Sequence, residues 1–435
     1  MKRLTGMFLC LCLCCSLFTG CDFFSASQNV EELLTPPKLT QEQAAVVNAL
    51  EEVEGGSIQL KYPDVGTGSS PLLLADLDAD GKQEAVVFYV APQKGKNARI
   101  ALLKETSKGY EVAFEAEGTS PEVEGAAVAS FYSGRGLQLV VGYQNPSLSE
   151  NYMMIYNCTD GSGGLALEKM GEQSYARFLV CDMTGDGLDD LVFASSPAEL
   201  DGRMRLTLLS GQSGQLQQLS TLTLGEKITG CQSLLISTGS PHNTLVADCD
   251  LGVASTCSIA VYYASGKLRE YQMLGGSDFI QRTTRSNALL QSMDLDEDGA
   301  VELPSLSGPF PGAANANRFL QVEWYDPFYS VVQPKLYGLV DMEYGYFLRL
   351  PEALRGSCMV SYKEKERGWS LIDPATGRLL FDVVMLGKGE KLTGADERDY
   401  EQVAASAGYR IFIRIGQLPD GLDKGTLLAG FINLK

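Results

Sequence analysis

The sequence predicts an all-β fold of repeated units of about four short strands: a β-propeller of five to seven blades, with a small α+β domain behind it. Three observations carry that reading. One acidic loop pattern, flanked by apolar stretches, begins at Asp76, Asp182 and Asp294, so its copies start 106 and 112 residues apart. Weaker copies that keep strand, polar turn and strand lie near the half-way points, giving a unit of about 55 residues, the period of propellers and arrays. Turn residues cut each unit into short apolar runs, and no long helical periodicity interrupts them.

Composition sets the outer bounds. The chain has 435 residues, 45% hydrophobic and 20% charged, which is ordinary globular composition with enough length for sizeable cores. Asp and Glu number 54 against 35 for Lys and Arg, a net charge of −19. So acidic a chain repels nucleic acid and anionic headgroups. His242 is the single histidine, which excludes any site that needs two, the HExxH zinc proteases among them.

Residues 1–20 have the order of a secretory signal. Met1-Lys2-Arg3 supplies positive charge, and Leu4 to Phe18 is an apolar run too short for a spanning helix of about 20 residues. The run ends in Leu17-Phe18-Thr19-Gly20-Cys21, which resembles the bacterial lipobox. That resemblance implies cleavage before Cys21, lipidation of its thiol, and a chain held to the membrane on the extracytoplasmic face. Cys10, Cys12, Cys14 and Cys15 then leave with the signal. Cys158, Cys181, Cys231, Cys249, Cys257 and Cys358 remain, too widely spaced for a small disulfide framework. Cys249 and Cys257 flank one loop and could pair in an oxidising compartment, their pairing being left open; the others read as buried thiols.

Residues 21–56 form a tether and a first helix. Pro36-Pro37 marks the end of a spacer, and Thr40-Gln41-Glu42-Gln43 has the form of a capping box. Ala44, Val47 and Leu50 follow at helical spacing, so a helix is expected from Gln41 to about Val53, stopped by Gly55-Gly56.

Residues 57–340 hold the repeats. Between the first acidic loop and the next copy, Ala85–Ala91, Ala98–Lys104 and Tyr110–Glu115 read as strands. The acidic loops carry oxygen-bearing residues at positions one, three and five, glycine at six and a carboxylate at nine. These are Asp76, Asp78, Asp80 and Glu84 in the first loop, and Asp182, Thr184, Asp186 and Asp190 in the second. The third has Asp294, Asp296, Asp298 and Glu302. Alternate residues of a tight loop point inward, and an all-oxygen set that tolerates about six to eight ligands suits calcium. These are not EF-hands: the twelfth position holds Val87, Phe193 and Ser305 instead of a bidentate Glu, and the flanks are strands.

At these residues the chain resembles the FG-GAP/VCBS repeat family, the calcium-loop blades of integrin α-chain propellers and many bacterial surface proteins. The resemblance implies a propeller with up to three structural calcium ions and a role in adhesion, carbohydrate binding or scaffolding. The FG and GAP signatures themselves are poorly preserved, and the weaker copies, Gly125–Gly142 and Cys231–Asp248, lack the ligands.

Residues 341–435 read differently. Tyr346–Pro351, Ser357–Tyr362, Trp369–Ile372, Leu379–Leu386 and Tyr409–Ile415 have strand character. Tyr400, Val403, Ala404 and Ala407 recur at helical spacing before Gly408, so a short amphipathic helix is expected there.

No catalytic motif stands out. There is no G-x-S-x-G elbow and no P-loop, and His242 lies in the polar turn Gly239-Ser-Pro-His-Asn243. Trp324, Tyr325, Tyr329 and Trp369 could stack on sugars, although core packing explains such residues more often. The expected function is therefore a non-catalytic, membrane-anchored module that binds an envelope or extracellular protein or glycan. The alternative is a glycan-active hydrolase using a carboxylate pair outside the loops.

Overall fold

The computed structural model describes residues 40–434, apart from 64, 67–69, 135, 145–150, 162–163, 197–200, 239–241, 272–278, 287–289, 329–332, 364–367, 388, 393–398, 406–407 and 420–422. The expected signal segment, Cys21 and the expected spacer lie outside the described residues. No helix among those described is long and apolar enough to cross a membrane.

Helix α1 (Gln41–Glu54) begins and ends where its capping residues dictate. Thr40 Oγ1 accepts the Gln43 N–H, Gln43 Oε1 accepts the Thr40 N–H at 3.0 Å, and Gly55 closes the helix in the left-handed conformation.

The rest is mostly strand. Two two-residue strands, β1 (Gln59–Leu60) and β2 (Val65–Gly66), come first. Sheet 1 joins β1 to β3 (Leu72–Ala75), β4 (Glu84–Val90), β5 (Arg99–Thr106) and β6 (Gly109–Glu117). Sheet 2 holds β7 (Val123–Ala129), β8 (Gln138–Tyr143), β9 (Asn151–Gly161) and β10 (Gly164–Tyr175), with β2 parallel to β7 at its edge. Sheet 3 is β11 (Arg177–Cys181), β12 (Asp190–Ser195), β13 (Arg205–Gln212) and β14 (Gln215–Thr223). Sheet 4 is β15 (Gly230–Ser237), β16 (Thr244–Asp250), β17 (Thr256–Ala264) and β18 (Lys267–Glu270). After helix α2 (Phe279–Thr283), sheet 5 takes β19 (Leu303–Pro309), β20 (Phe319–Tyr325), β21 (Leu336–Asp341) and β22 (Tyr346–Arg349). Sheet 6 contains β23 (Met359–Lys363), β24 (Gly368–Ile372), β25 (Leu379–Gly387), β26 (Glu401–Ala405) and β27 (Tyr409–Ile415), with β27 between β25 and β26. Helix α3 (Lys424–Leu428) then leads to β28 (Phe431–Asn433), which returns to sheet 5 beside β22.

The sheets pack face against face in chain order, because a strand alternates its side chains between two apolar layers. In β4 every residue is buried. Val86, Phe88 and Val90 meet Val123, Leu139 and Val141 of sheet 2. Ala85, Val87 and Tyr89 point the other way and meet Val46 and Leu50 of α1. Helix α1 therefore covers the outer face of the first sheet. Its last residue, Glu54, is buried there, with its carboxylate 2.6 Å from the Tyr89 hydroxyl and 2.8 Å from Lys94 Nζ. At the far end, the outer side of sheet 6 is polar: Ser370 Oγ and Arg414 Nη2 both donate to the buried carboxylate of Asp382.

Sheet 4 is tied to the segment leading into sheet 5 by an ion pair with no exposed side-chain surface on either partner. Arg285 Nη2 lies 2.9 Å from Asp248 Oδ1, whose carboxylate also accepts from Ser233, Ser258 and Ser292. Such a pair survives burial only with its remaining valences filled, and Arg285 fills its own on the Leu290 and Thr283 carbonyls.

Two expectations for the C-terminal part need correction. Residues 401–405 form the edge strand β26, not a helix; Ala407 lies outside the described residues. A β-bulge between Gln402 and Ala404 turns the consecutive Val403 and Ala404 toward the same core, which counterfeits helical spacing in the sequence. The boundary at 340/341 also fails to separate two structural units. It falls inside β21, whose sheet continues through β22 to β28, and one core joins Phe319, Tyr337 and Leu339 to Trp369, Phe381 and Val383.

A chain ending at Gly345 would lose β22, β28 and all of sheet 6, leaving β21 an unpaired apolar edge. We expect that fragment to aggregate, while the full chain elutes as a discrete species in size-exclusion chromatography. A soluble, cooperatively melting 1–345 fragment would contradict this packing.

Candidate functional site

The three acidic loops repeat one backbone shape. Each links the end of one strand or bridge to the next strand, and each has positive φ at position four (Ala79, Gly185, Glu297) and at the glycine of position six. Gly81, Gly187 and Gly299 have φ of 89°, 84° and 87°, which a side chain would strain. Their N–H groups donate to the first carboxylate: Gly81 to Asp76 at 3.1 Å, Gly187 to Asp182 at 2.9 Å and Gly299 to Asp294 at 2.9 Å. The fifth-position carboxylates accept from the residue two on, at 2.8 Å from Lys82 to Asp80 and 2.9 Å from Leu188 to Asp186 and from Ala300 to Asp298.

The ninth position closes each loop from inside. Glu84, Asp190 and Glu302 are all buried, at 2%, 0% and 0% exposure. Each accepts the N–H of the second loop residue: Leu77 at 2.9 Å, Met183 at 3.0 Å and Leu295 at 2.8 Å. Burial raises all three carboxyls above their ordinary range, Glu302 to about 7 even though the ammonium of Lys335 pulls the other way.

The loops differ in what balances this negative charge. Loop one brings oxygens of Asp76, Asp78 and Glu84 within 4.8 Å of one another, with Asp80 outside that group. Lys104 Nζ lies 2.6 Å from Asp78 and 2.8 Å from Asp160 of sheet 2. Burial works to raise Asp78, but that ammonium outweighs it and holds the carboxyl below its ordinary value. Asp76 Oδ1 is buried, and no hydrogen bond of normal geometry reaches it. Loop two does not draw its three carboxylates into so tight a group; Thr184 Oγ1 and Asp190 Oδ1 are buried without a bond of normal geometry, although the Ser210 and Thr184 hydroxyls stand close enough to the Asp190 carboxylate to pull it down against burial. Loop three gathers all four of its carboxylates, and Lys335 Nζ sits among them, 3.0 Å from Asp296, 2.6 Å from Asp298 and 2.6 Å from Glu302. For loops one and two, orphaned buried oxygens on an all-oxygen donor set fit a hard divalent cation. Loop three already holds a positive charge.

The weaker repeats have a part that the sequence did not disclose. Their turns bridge the acidic loops at the same end of the sheets. Leu137 N donates to Leu77 O at 2.9 Å, linking the sheet 2 turn to loop one. Ser130 N donates to Asp189 Oδ2 at 2.7 Å, linking the same turn to loop two. Asn243 Nδ2 donates to Asp182 O at 2.5 Å, and Thr238 N donates to Gly299 O at 2.8 Å, so the sheet 4 turn joins loop two to loop three.

At the opposite ends of the strands lies a cavity of about 310 Å3, lined by Asn151, Tyr175, Arg177, Ser196, Thr229 and Asp250 among others. Its charged groups are already engaged. Arg177 Nη1 lies 2.8 Å from Glu124 Oε1, the Tyr175 hydroxyl donates to the other oxygen of Glu124, and Gln232 Nε2 donates to Asp250 Oδ1 at 2.6 Å. Neither Arg177 nor Asp250 belongs to a motif visible in sequence; strand ends from sheets 2, 3 and 4 bring them together.

Other sequence candidates resolve simply. Trp324, Tyr325 and Trp369 are buried core residues, and Tyr329 lies outside the described residues. His242 is exposed in its turn, with its ring stacked on Tyr262 at 6.0 Å. The six body cysteines are buried free thiols. Cys249 stands directly opposite both Cys231 and Cys257, and its hydrogen bond with Cys231, then burial, push its thiol far up.

The raised carboxyls give a pH test. A folded-state value above the unfolded one means that the folded chain holds the extra proton. That stability is present below about 4.5 and is lost as pH rises toward about 7. In chelator, the melting temperature should fall between pH 5 and pH 7, and Glu302→Gln should flatten that slope. An equal slope in the variant would count against a buried, strained Glu302.

No family model matches the chain, and no curated protein matches it. Solved structures similar to it include Sqt1 of Saccharomyces cerevisiae, with 12% identity, 73% of this chain and 77% of that one covered, and a TM-score of 0.31. A rhamnogalacturonan lyase PL11 of Bacillus licheniformis has 14% identity over 66% of this chain and 64% of that one, with a TM-score of 0.29. A protein from Lactobacillus plantarum has 13% identity over 72% and 83%, with a TM-score of 0.32.

Proposed function

We propose that this chain is a membrane-anchored extracytoplasmic lipoprotein, lipidated at Cys21, whose sheets are the blades of a six-bladed propeller-type array and whose role is non-catalytic binding of a glycan. Calcium at loops one and two supports the array. There Asp76, Asp78 and Glu84, and Asp182, Thr184 and Asp190, would hold the ion and cancel the mutual repulsion of their carboxylates. Helix α1 sits on the first blade, on the face where a closed ring would seat the last.

The observation that carries the binding role is the polar cavity at the end remote from the loops. On its wall Arg177 is paired with Glu124, and the lining carboxylate of Asp250 accepts from the Gln232 amide. A wall of hydroxyl, amide and hydrogen-bonded charged groups offers both donors and acceptors, which suits a hydroxyl-rich ligand. A hydrolase would instead need one carboxyl free to give up a proton and another free to attack or to activate water.

Three outcomes test the reading. Cys21→Ala should release the chain from membranes or leave the precursor uncut. Calcium should raise the melting temperature, each site adding about 2.7 kcal/mol at 100 times its dissociation constant, and Asp190→Ala should reduce the gain. In a glycan-binding screen with the full chain, Arg177→Ala should weaken retention by about tenfold or more, through loss of a charged hydrogen-bonding group. Release of reducing sugar from a bound glycan would favour the hydrolase, and retention of a protein partner unaffected by Arg177→Ala would move the function off the cavity.

A further inference from the structure

We infer that Lys335 is the resident cation of the third acidic loop, so that this loop is completed by the protein itself and takes no divalent ion. The proposal stands apart from the calcium reading of loops one and two.

The geometry is that of a filled site. An ammonium has three N–H donors, and Lys335 Nζ meets one oxygen each from Asp296, Asp298 and Glu302 at 3.0, 2.6 and 2.6 Å. It touches three of the four residues whose carboxylate oxygens lie within 4.8 Å of one another. Loops one and two each leave a buried oxygen without a hydrogen bond, whereas neither Asp294 nor Glu302, the two less exposed carboxylates of loop three, is left so.

Lys335 is also held in place. Its own N–H donates to Trp324 O at 2.8 Å, between the fully buried Trp324 and the buried Leu336 that opens β21. Its side chain is only 21% exposed. Burial works against its charge, but the three carboxylates outweigh that and hold the proton on more tightly than usual. Lys104 beside loop one is a contrasting case. It reaches one loop carboxylate and spends its other contact on Asp160, so it bridges two sheets without filling the loop.

The consequence is a division of labour. On the calcium reading, loops one and two answer to the divalent-ion concentration outside the cell membrane; loop three, on either reading, does not. Removing Lys335 should convert loop three into a calcium site, because its four carboxylates would then have lost their only close cation among the described residues.

The test uses the full chain and Lys335→Met, which keeps the apolar stem. Bound calcium is counted after equilibrium dialysis, and melting is followed in EDTA and in calcium. Lys335→Met should bind one more calcium ion than the unmodified chain. In EDTA it should melt lower by about 5 °C or more, as expected when buried charge loses its partner. Calcium should restore it, and so should Asp296→Asn in the Lys335→Met background, without calcium. Three ions bound by the unmodified chain, or equal melting of the two chains in EDTA, would overturn the proposal. No ion on the unmodified chain, together with the EDTA loss and its rescue by Asp296→Asn, would remove the calcium reading and leave Lys335 as the resident cation.

Discussion

A carboxylate buried at the foot of each acidic loop is the constraint on which the rest of this structure turns. Glu84, Asp190 and Glu302 each take one N–H from the loop's second residue, and each is raised by burial. An anion inside a fold is tolerated only with hydrogen bonds and a compensating charge. The backbone shape of the loop supplies the first requirement, through left-handed residues at positions four and six. The second differs between copies: Lys104 reaches one carboxylate of loop one and Lys335 reaches three of loop three.

The same constraint explains why the repeat is stronger at about 110 residues than at half that length. The sheet 2 and sheet 4 turns carry no acidic set, but they hydrogen-bond to the acidic loops on both sides. One end of the sheets is thereby laced together from loop one to loop three. The other end carries the polar cavity beside Arg177 and Asp250.

The termini of the array are built to different rules from its middle. Between neighbouring sheets, apolar residues from both faces interdigitate. The outer face of sheet 1 is instead covered by α1, anchored through Glu54, and the outer side of sheet 6 carries the Ser370, Asp382 and Arg414 hydrogen bonds. Between these ends, Arg285 and Asp248 tie sheet 4 to the segment leading into sheet 5 with a pair that would be costly to break from either side.

What the sequence determined by itself was local: the capping box at Thr40, the strands of the first unit, and the three loops with their glycines. Each depends on residues a few positions apart, so spacing alone discloses it. The tertiary structure decided whatever depends on distant residues. A bulge opposite β27 made a strand of the apolar spacing around Val403, because pairing with Ile411 and Ile413 offers hydrogen bonds and burial that a short isolated helix lacks. The return of β28 to β22 erased the domain boundary drawn at 340/341. Lys335 reached loop three from across a sheet, 33 positions beyond Glu302. Nothing in the residues around Lys335 marks it as a cation for Glu302, since a salt bridge is set by where two backbones bring their side chains, and only the packed sheets specify that.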